Sequence, residues 1–372
     1  MLVIKNGKIV TMTGRLIDGG DILTENGVIR EIHDTSEYEP HSDDTVIDAT
    51  DCFVFPGFID MHTHCGLDGT RLGDVYLKER FIAPEASTYK SINPQNEAFY
   101  DCICSGVTSV MVAPFDEQIV GGKCCVVKTY SGDNNSLNTV SEFCGIKFSL
   151  CGMSGEDSVV LPDSIPRFIK KELRSALEYI SPNTHMLQGL MSPALDSYKP
   201  MLLEKMPAFI SVSDEMQLSI AESIIKDFNL NGVLVLRSVE NTPAYSSLFE
   251  NKKTPFIINP INMGASCRKQ FSSSLTTQDF AVSSYHPHVS SDMLPVNTGM
   301  LVRDGLDMQS GFESITTKPA QICRLYDKIG SLSVGMDADI VVWNDNPLEV
   351  LSNVLYTVID GKVVYSGESQ SF

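Results

Sequence analysis

Apolar and polar positions change their rhythm twice along this chain. Over the first fifty residues the apolar positions come in short alternating runs separated by turn dipeptides. Leu2-Val3-Ile4-Lys5, Asn6-Gly7 and Lys8-Ile9-Val10 read as a hairpin, because Asn-Gly suits a tight turn with both central residues left-handed. Asp21 to Glu25, Asn26-Gly27 and Val28 to Ile32 repeat the pattern, and Val46-Ile47-Asp48 adds a short strand. The far end of the chain returns to this style. Ile340 to Trp343 and Val354 to Ile359 read as strands, and Asp360-Gly361 turns the chain into Lys362-Val363-Val364-Tyr365.

The centre is different. Continuous apolar runs of strand length alternate with longer helical stretches. Strands are expected at Val107–Val112, Gly145–Leu150, Ala208–Val212, Gly232–Leu236, Pro255–Ile258 and Phe280–Ser284. Helices are expected over Asn96–Cys104, Pro166–Tyr179, Glu215–Phe228 and Gln309–Cys323. Such alternation implies parallel β/α units. The fold class expected is α/β: a TIM-type (β/α)8 barrel over residues 53–329, with a small β-sandwich built from residues 1–52 and 330–372.

Length and composition fit that reading. The 372 residues suffice for one barrel and a small extra domain, and 42% hydrophobic content is that of a globular protein. The net charge of −19 argues against a nucleic-acid partner. No apolar run reaches membrane-spanning length and the N-terminus has no secretory pattern, so a cytoplasmic location is expected and no membrane partner. The ten cysteines lack zinc-ribbon spacing and read as reduced thiols. A nucleotide-binding glycine motif is missing.

The candidate chemistry begins at His62 and His64, which close the apolar run starting at Phe53. Residues i and i+2 of a strand project together, so two imidazoles converge at the end of the first barrel strand, half of a metal site. Arg237, if it points inward, offers a guanidinium to a carboxylate. Asp116 and Glu117 follow the second strand, where a glutamate is a conceivable ligand and a solvated carboxylate the commoner outcome. Cys65, which follows His64, faces the opposite way in a regular strand. Cys267-Arg268-Lys269 is a weak anion candidate.

Pro56-Gly57-Phe58-Ile59-Asp60-Met61-His62-Thr63-His64 resembles the PG-x-ID-x-H-x-H motif of the amidohydrolase superfamily. Gly330 to Trp343 resembles that family's return strand, and Ile359 to Tyr365 its final hairpin. Within the superfamily the chain is similar to the imidazolonepropionase-like members, through Gly106 to Val110, Ile119 to Gly122, Cys125 to Lys128 and Gly145 to Phe148. The resemblance implies a metal-dependent hydrolase of non-peptide C–N bonds in small cyclic amides or amidines, with a metal-activated water as nucleophile. It also implies a lysine that is carbamylated in many members, here Lys147, and a homodimer by association.

The ligand set implied by the resemblance is incomplete. The fifth strand, expected to end in histidine, offers Ser211 and Ser213; the sixth offers Arg237 and Ser238. The last strand reads Ser283-Ser284-Tyr285-His286-Pro287, with tyrosine where an aspartate belongs. His185, in a loop-like stretch, has no assigned place. A binuclear centre is therefore not expected. The expected site is reduced: one divalent metal, zinc, held by His62, His64 and His286, with Tyr285, Arg237 and Lys147 as catalytic candidates. The alternative is a catalytically degenerate protein that keeps the fold and binds a small ligand or partner without turnover. In that alternative the histidines need no metal, and Lys147 simply pairs with a nearby carboxylate.

Overall fold

The computed structural model describes residues 1–67, 81–132, 136–151, 162–181, 192–237, 254–258 and 265–367. His185 and Ser238 lie outside the described residues, as does the side chain of Cys267.

The two ends of the chain share one eight-stranded sheet. Its N-terminal strands are β1 (Leu2–Val10), β2 (Leu16–Glu25), β3 (Val28–His33), β4 (Thr45–Asp48) and β5 (Phe53–Pro56). Eight further strands form the second sheet: β6 (Phe58–Thr63), β7 (Val107–Val112), β8 (Val120–Lys128), β9 (Thr139–Ser149), β10 (Pro207–Val212), β11 (Asn231–Leu236), β12 (Phe256–Ile258) and β13 (Phe280–Val282). The first sheet is completed by β14 (Ile340–Trp343), β15 (Val354–Ile359) and β16 (Lys362–Ser366). Its order is β16-β15-β14-β5-β1-β2-β3, with β4 also on β1. Leu2, Ile4, Ile22, Val54, Ile340, Val342 and Val358 are among the residues of its own apolar core.

Three details of this sheet differ from the sequence reading or sharpen it. Asn6-Gly7 is not a turn. β1 runs straight through it with a register shift at Gly7, and Asn6 takes a left-handed φ of 58°. A bulge rather than a turn forms because both halves of β1 have parallel partners, β4 beside Leu2–Lys5 and β5 beside Lys8 and Ile9. Gly7 is required there, since a Cβ would sit 2.5 Å from Val54 Cγ2. The same dipeptide at Asn26-Gly27 does turn the chain, as does Asp360-Gly361, all four residues having positive φ. Finally, Phe53–Pro56 pairs with β1 and β14, so the barrel begins at Phe58 and the boundary lies at Gly57, four residues beyond the expected one. A Cβ on Gly57 would meet Thr108 Oγ1 at 1.9 Å, so only glycine lets the chain pass this close to β7.

The second sheet is the barrel, in the order β6 to β13. Neighbouring strands are parallel except at β8, which is antiparallel to both β7 and β9. Alternate residues separate two cores. Ile59, Met61, Met111, Cys124, Val126, Phe209, Val233, Val235, Ile257 and Ala281 meet inside. Phe58, Val110, Ile146, Phe148, Ile210, Leu234, Phe256 and Val282 face outward onto helices, including Ile165–Ile180 and Glu215–Asp227.

The stretch Gln309–Cys323, expected as one helix, is two: Met308–Glu313 and Thr317–Ile322. The break has a use. The Ile59 N–H donates to the Ile315 carbonyl at 2.8 Å and the Val282 N–H to the Ser314 carbonyl at 3.0 Å. Backbone from the interrupted helix thus satisfies strand donors at the seam between β6 and β13. Asp60 fastens the same seam, accepting from the Ser284 N–H at 2.9 Å and the Ser284 hydroxyl at 2.6 Å.

Below the barrel, Lys128 joins it to the terminal sheet. Its buried ammonium lies 2.7 Å from Asp337, 3.2 Å from Asp339, and also contacts Asp360. Among the described residues no helix is long and apolar enough to cross a membrane.

Candidate active site

The polar residues of the barrel interior gather at the C-terminal ends of the strands, the end where barrels of this kind do chemistry. How the two histidines reach that interior is not simple alternation. Ile59 and Met61 already face inward, so a regular strand would send His62 and His64 outward. The register between β6 and β7 slips by one residue between Asp60 and Thr63, and His62 adopts a φ of 59°. This bulge resets the phase, and His62 and His64 turn inward with ring centroids 5.6 Å apart. The outward Thr63 donates its hydroxyl proton to the Met111 carbonyl at 3.2 Å. Cys65 also faces away from the histidines, its thiol 3.4 Å from the Ser291 hydroxyl.

His62 is fully buried, and neither of its ring nitrogens has a hydrogen-bond partner among the described residues. Burial, reinforced by the nearby Lys147 charge, pushes its pKa well below the ordinary histidine value. His64 donates Nδ1–H to the Ala113 carbonyl at 2.8 Å, which leaves its Nε2 lone pair bare. Burial lowers its pKa to about 4. Both imidazoles are neutral at physiological pH. Phe115 lies against His64 with centroids 4.2 Å apart.

Beside them is a three-membered charge network. Lys147, on β9 with Phe209 and Gly122 as its register partners, is fully buried. Its Nζ lies 2.5 Å from Asp116 Oδ1 and 2.5 Å from the Ser211 hydroxyl. Arg237 places Nε 2.8 Å from Asp116 Oδ2 as an ion pair. Burial alone would raise the Asp116 carboxyl, but Lys147, then His62 and Arg237, hold it far below the usual carboxylate range. Two cations against one carboxylate leave the network with one net positive charge. Arg237 also stacks its guanidinium over the Tyr285 ring, 5.3 Å from the centroid. Its Nη1 is buried without a hydrogen-bond partner among the described residues.

Tyr285 and His286 take up other positions than a catalytic acid and a ligand require. Tyr285, at φ 55°, lays its ring edge-on to His62 with centroids 5.3 Å apart. Its hydroxyl donates toward the Leu236 and Ile257 carbonyls at 2.9 and 3.2 Å, so the proton an acid would supply is engaged by strand backbone. The His286 ring does not join His62 and His64. Burial lowers its pKa, its Nδ1 is buried without a hydrogen-bond partner among the described residues, and its carbonyl accepts from the His64 N–H. Among the described residues no group of three ligand side chains that includes His62 and His64 is assembled.

Asp116, weighed in the sequence only as a loop acid, is the centre of the charge network. Its position just past β7, on the same barrel face as Lys147, was the available signal. Glu117 instead lines a cleft with Leu67, Thr88, Phe115 and Gln118. Arg268 is paired with Asp304 rather than free for an anion.

These positions test the divalent metal that the resemblance implies. Catalytic zinc sites use three protein ligands. His62 and His64 have suitable nitrogens, but among the described residues no group of three His, Cys, Asp or Glu side chains is placed to hold a metal ion. Asp116 Oδ1 accepts from Lys147, Oδ2 is ion-paired with Arg237 without a hydrogen bond, and both cations oppose a further positive charge. The described residues do not fit the metal.

Comparison with known proteins agrees with the architecture. The pattern of the amidohydrolase family labelled Amidohydro_3 matches residues 275–365. An amidohydrolase from Thermotoga maritima superposes over 98% of this chain and 100% of its own, with a TM-score of 0.83 and 25% identity. By fold and by the segment 275–365 the chain is similar to the amidohydrolase superfamily. Among the superfamily's curated members, an imidazolonepropionase from Picrophilus torridus is 27% identical over 179 residues, 42% of this chain and 43% of that protein. A D-phenylhydantoinase from Escherichia coli is 40% identical over 68 residues, 18% of this chain and 14% of that protein. These matches span less than half the length of either curated relative. Molinate hydrolase shares the fold, with a TM-score of 0.59 and 15% identity.

Proposed function

We propose that this amidohydrolase-fold chain hydrolyses a non-peptide carbon–nitrogen bond in a small molecule of the cyclic amide or amidine kind. The observation that carries the reading is the convergence of His62, His64, Lys147, Asp116 and Arg237 at the C-terminal mouth of the barrel. The names of the two curated relatives, an imidazolonepropionase and a hydantoinase, support the substrate class. In this reading Arg237 Nη1 donates to an acceptor on the substrate. The neutral His62 and His64 offer lone pairs to its N–H groups or to an attacking water, and Lys147 stabilises negative charge developing on a carbonyl oxygen. Tyr285 acts as a wall that fixes His62 and Arg237. The partner is a small molecule, and a homodimer belongs to the same proposal.

A second reading is favoured by the incomplete donor set and the engaged Tyr285 hydroxyl: a protein that binds such a molecule without turning it over. One experiment separates the two. The full chain is assayed against hydantoins, imidazolones, cyclic imides and acyl amino acids, alongside His62→Ala and Asp116→Asn. Turnover that both variants abolish supports hydrolysis. Binding without turnover across the whole panel would leave the second reading standing.

A further inference from the structure

The mouth of the barrel carries its own cations. Lys147 is fully buried and receives no solvent, yet its ammonium is fixed on two sides, by Asp116 and by Ser211. Arg237 is fixed as well, by the Asp116 carboxylate at Nε, by the Tyr285 ring beneath the guanidinium, and by a 3.4 Å approach of Nη2 to His288 Nε2. Each cation is held by the same carboxylate, Asp116. Among the described residues no group of three His, Cys, Asp or Glu side chains is placed beside them to hold a catalytic metal.

Polar atoms without partners mark what such a site lacks. Among the described residues Arg237 Nη1 is a buried N–H donor with no acceptor, both nitrogens of His62 are likewise unmet, and Asp116 Oδ2 faces Arg237 as an ion pair without a hydrogen bond. A buried charged donor left unpaired is costly, and the loss is recovered when a ligand supplies the acceptor. The group that completes the site must accept a hydrogen bond from a guanidinium and balance one net positive charge. That describes a small oxyanion.

We propose that Lys147 and Arg237, bridged by Asp116, are a built-in positive centre standing where relatives of this fold call for a divalent metal, and that this centre holds a small oxyanion on Arg237 Nη1. Lys147 is on this account an unmodified ammonium, not a carbamate. The proposal concerns binding and does not depend on turnover.

Two measurements on the chelator-treated full chain test it. In the first, thermal melts are followed during titration with acetate and, separately, with zinc. Acetate raises the Tm of the wild type and zinc does not. Arg237→Lys, which keeps the charge but loses the guanidinium N–H groups, weakens the acetate response by roughly tenfold, and Arg237→Met removes it. In the second, the chain is equilibrated with 13C-bicarbonate and shows no lysine carbamate resonance. Zinc uptake near one equivalent per chain, a carbamate resonance lost in Lys147→Gln, or an acetate response equal in wild type and Arg237→Lys would each overturn it. Because no step requires catalysis, failure here is distinct from failure of the hydrolase assay.

Discussion

Lys147 on β9 and Asp116 after β7 meet 2.5 Å apart inside the barrel mouth, and each is the reason the other tolerates burial. Removing one partner leaves an uncompensated charge in a low-dielectric interior. Asp116→Asn is therefore expected to destabilise the fold by about 3–5 kcal/mol in urea melts. Lys147→Met combined with Asp116→Leu is expected to recover most of that loss. Equal stability of Asp116→Asn and wild type would show that the pair is not formed.

The pH dependence of stability contains opposing contributions in one window, with Asp60 and Asp339 on one side and His62 and His64 on the other. Burial lifts the Asp60 carboxyl to about 6 despite its bonds to Ser284. The folded chain then holds that proton longer than the unfolded one, so the Asp60 contribution falls as pH rises from about 4 to about 6. His64 has the reverse sign. With its folded pKa lowered to about 4, the unfolded chain takes up the proton first, and stability is lost as pH falls from about 6.5 to about 4. Asp60→Asn is expected to remove a descending contribution of roughly 3 kcal/mol between pH 4 and 7. Chemical denaturation of both chains across that range checks the sign.

The Lys128 cluster is expected to hold the terminal sheet onto the barrel. Lys128→Met strands Asp337, Asp339 and Asp360 together and is expected to cost about 3–5 kcal/mol. Hydrogen exchange in Val354–Ser366 should quicken more than exchange at Ile210 or Leu234. Uniform quickening would mean that Lys128 stabilises both sheets alike.

Gly57 admits no side chain, because Thr108 occupies the place of its Cβ. Gly57→Ala is expected to lower stability by about 1–3 kcal/mol or more. Thr108→Ala should relieve this only in part, since Thr108 Cβ itself lies 2.6 Å from the new methyl. Thr108→Gly should relieve more. A Gly57→Ala chain as stable as wild type would contradict the close approach.

Much of the architecture was legible in the residues, and the misses have physical causes. Buried parallel strands such as Ala208–Val212 and Gly232–Leu236 are apolar throughout, so their type and place follow from composition. The two Asn-Gly dipeptides behave differently because flanking strands, remote in sequence, decide between bulge and turn. Nothing local in Gln309–Cys323 announces a break, since the demand for carbonyls comes from Ile59 and Val282 across the barrel seam. The histidine pair was legible, but its inward aim depends on the bulge at His62, which pairing with β7 creates. Asp116 gained its importance only when the barrel brought Lys147 and Arg237 to it.

Metal content tests the central claim most directly, that the barrel mouth carries its own positive charge. The full chain, purified without chelators or added metal, is analysed for zinc, iron and manganese before and after reconstitution. The account expects less than about a tenth of an equivalent per chain in both cases. About one equivalent, lost on His62→Ala with His64→Ala, would contradict it.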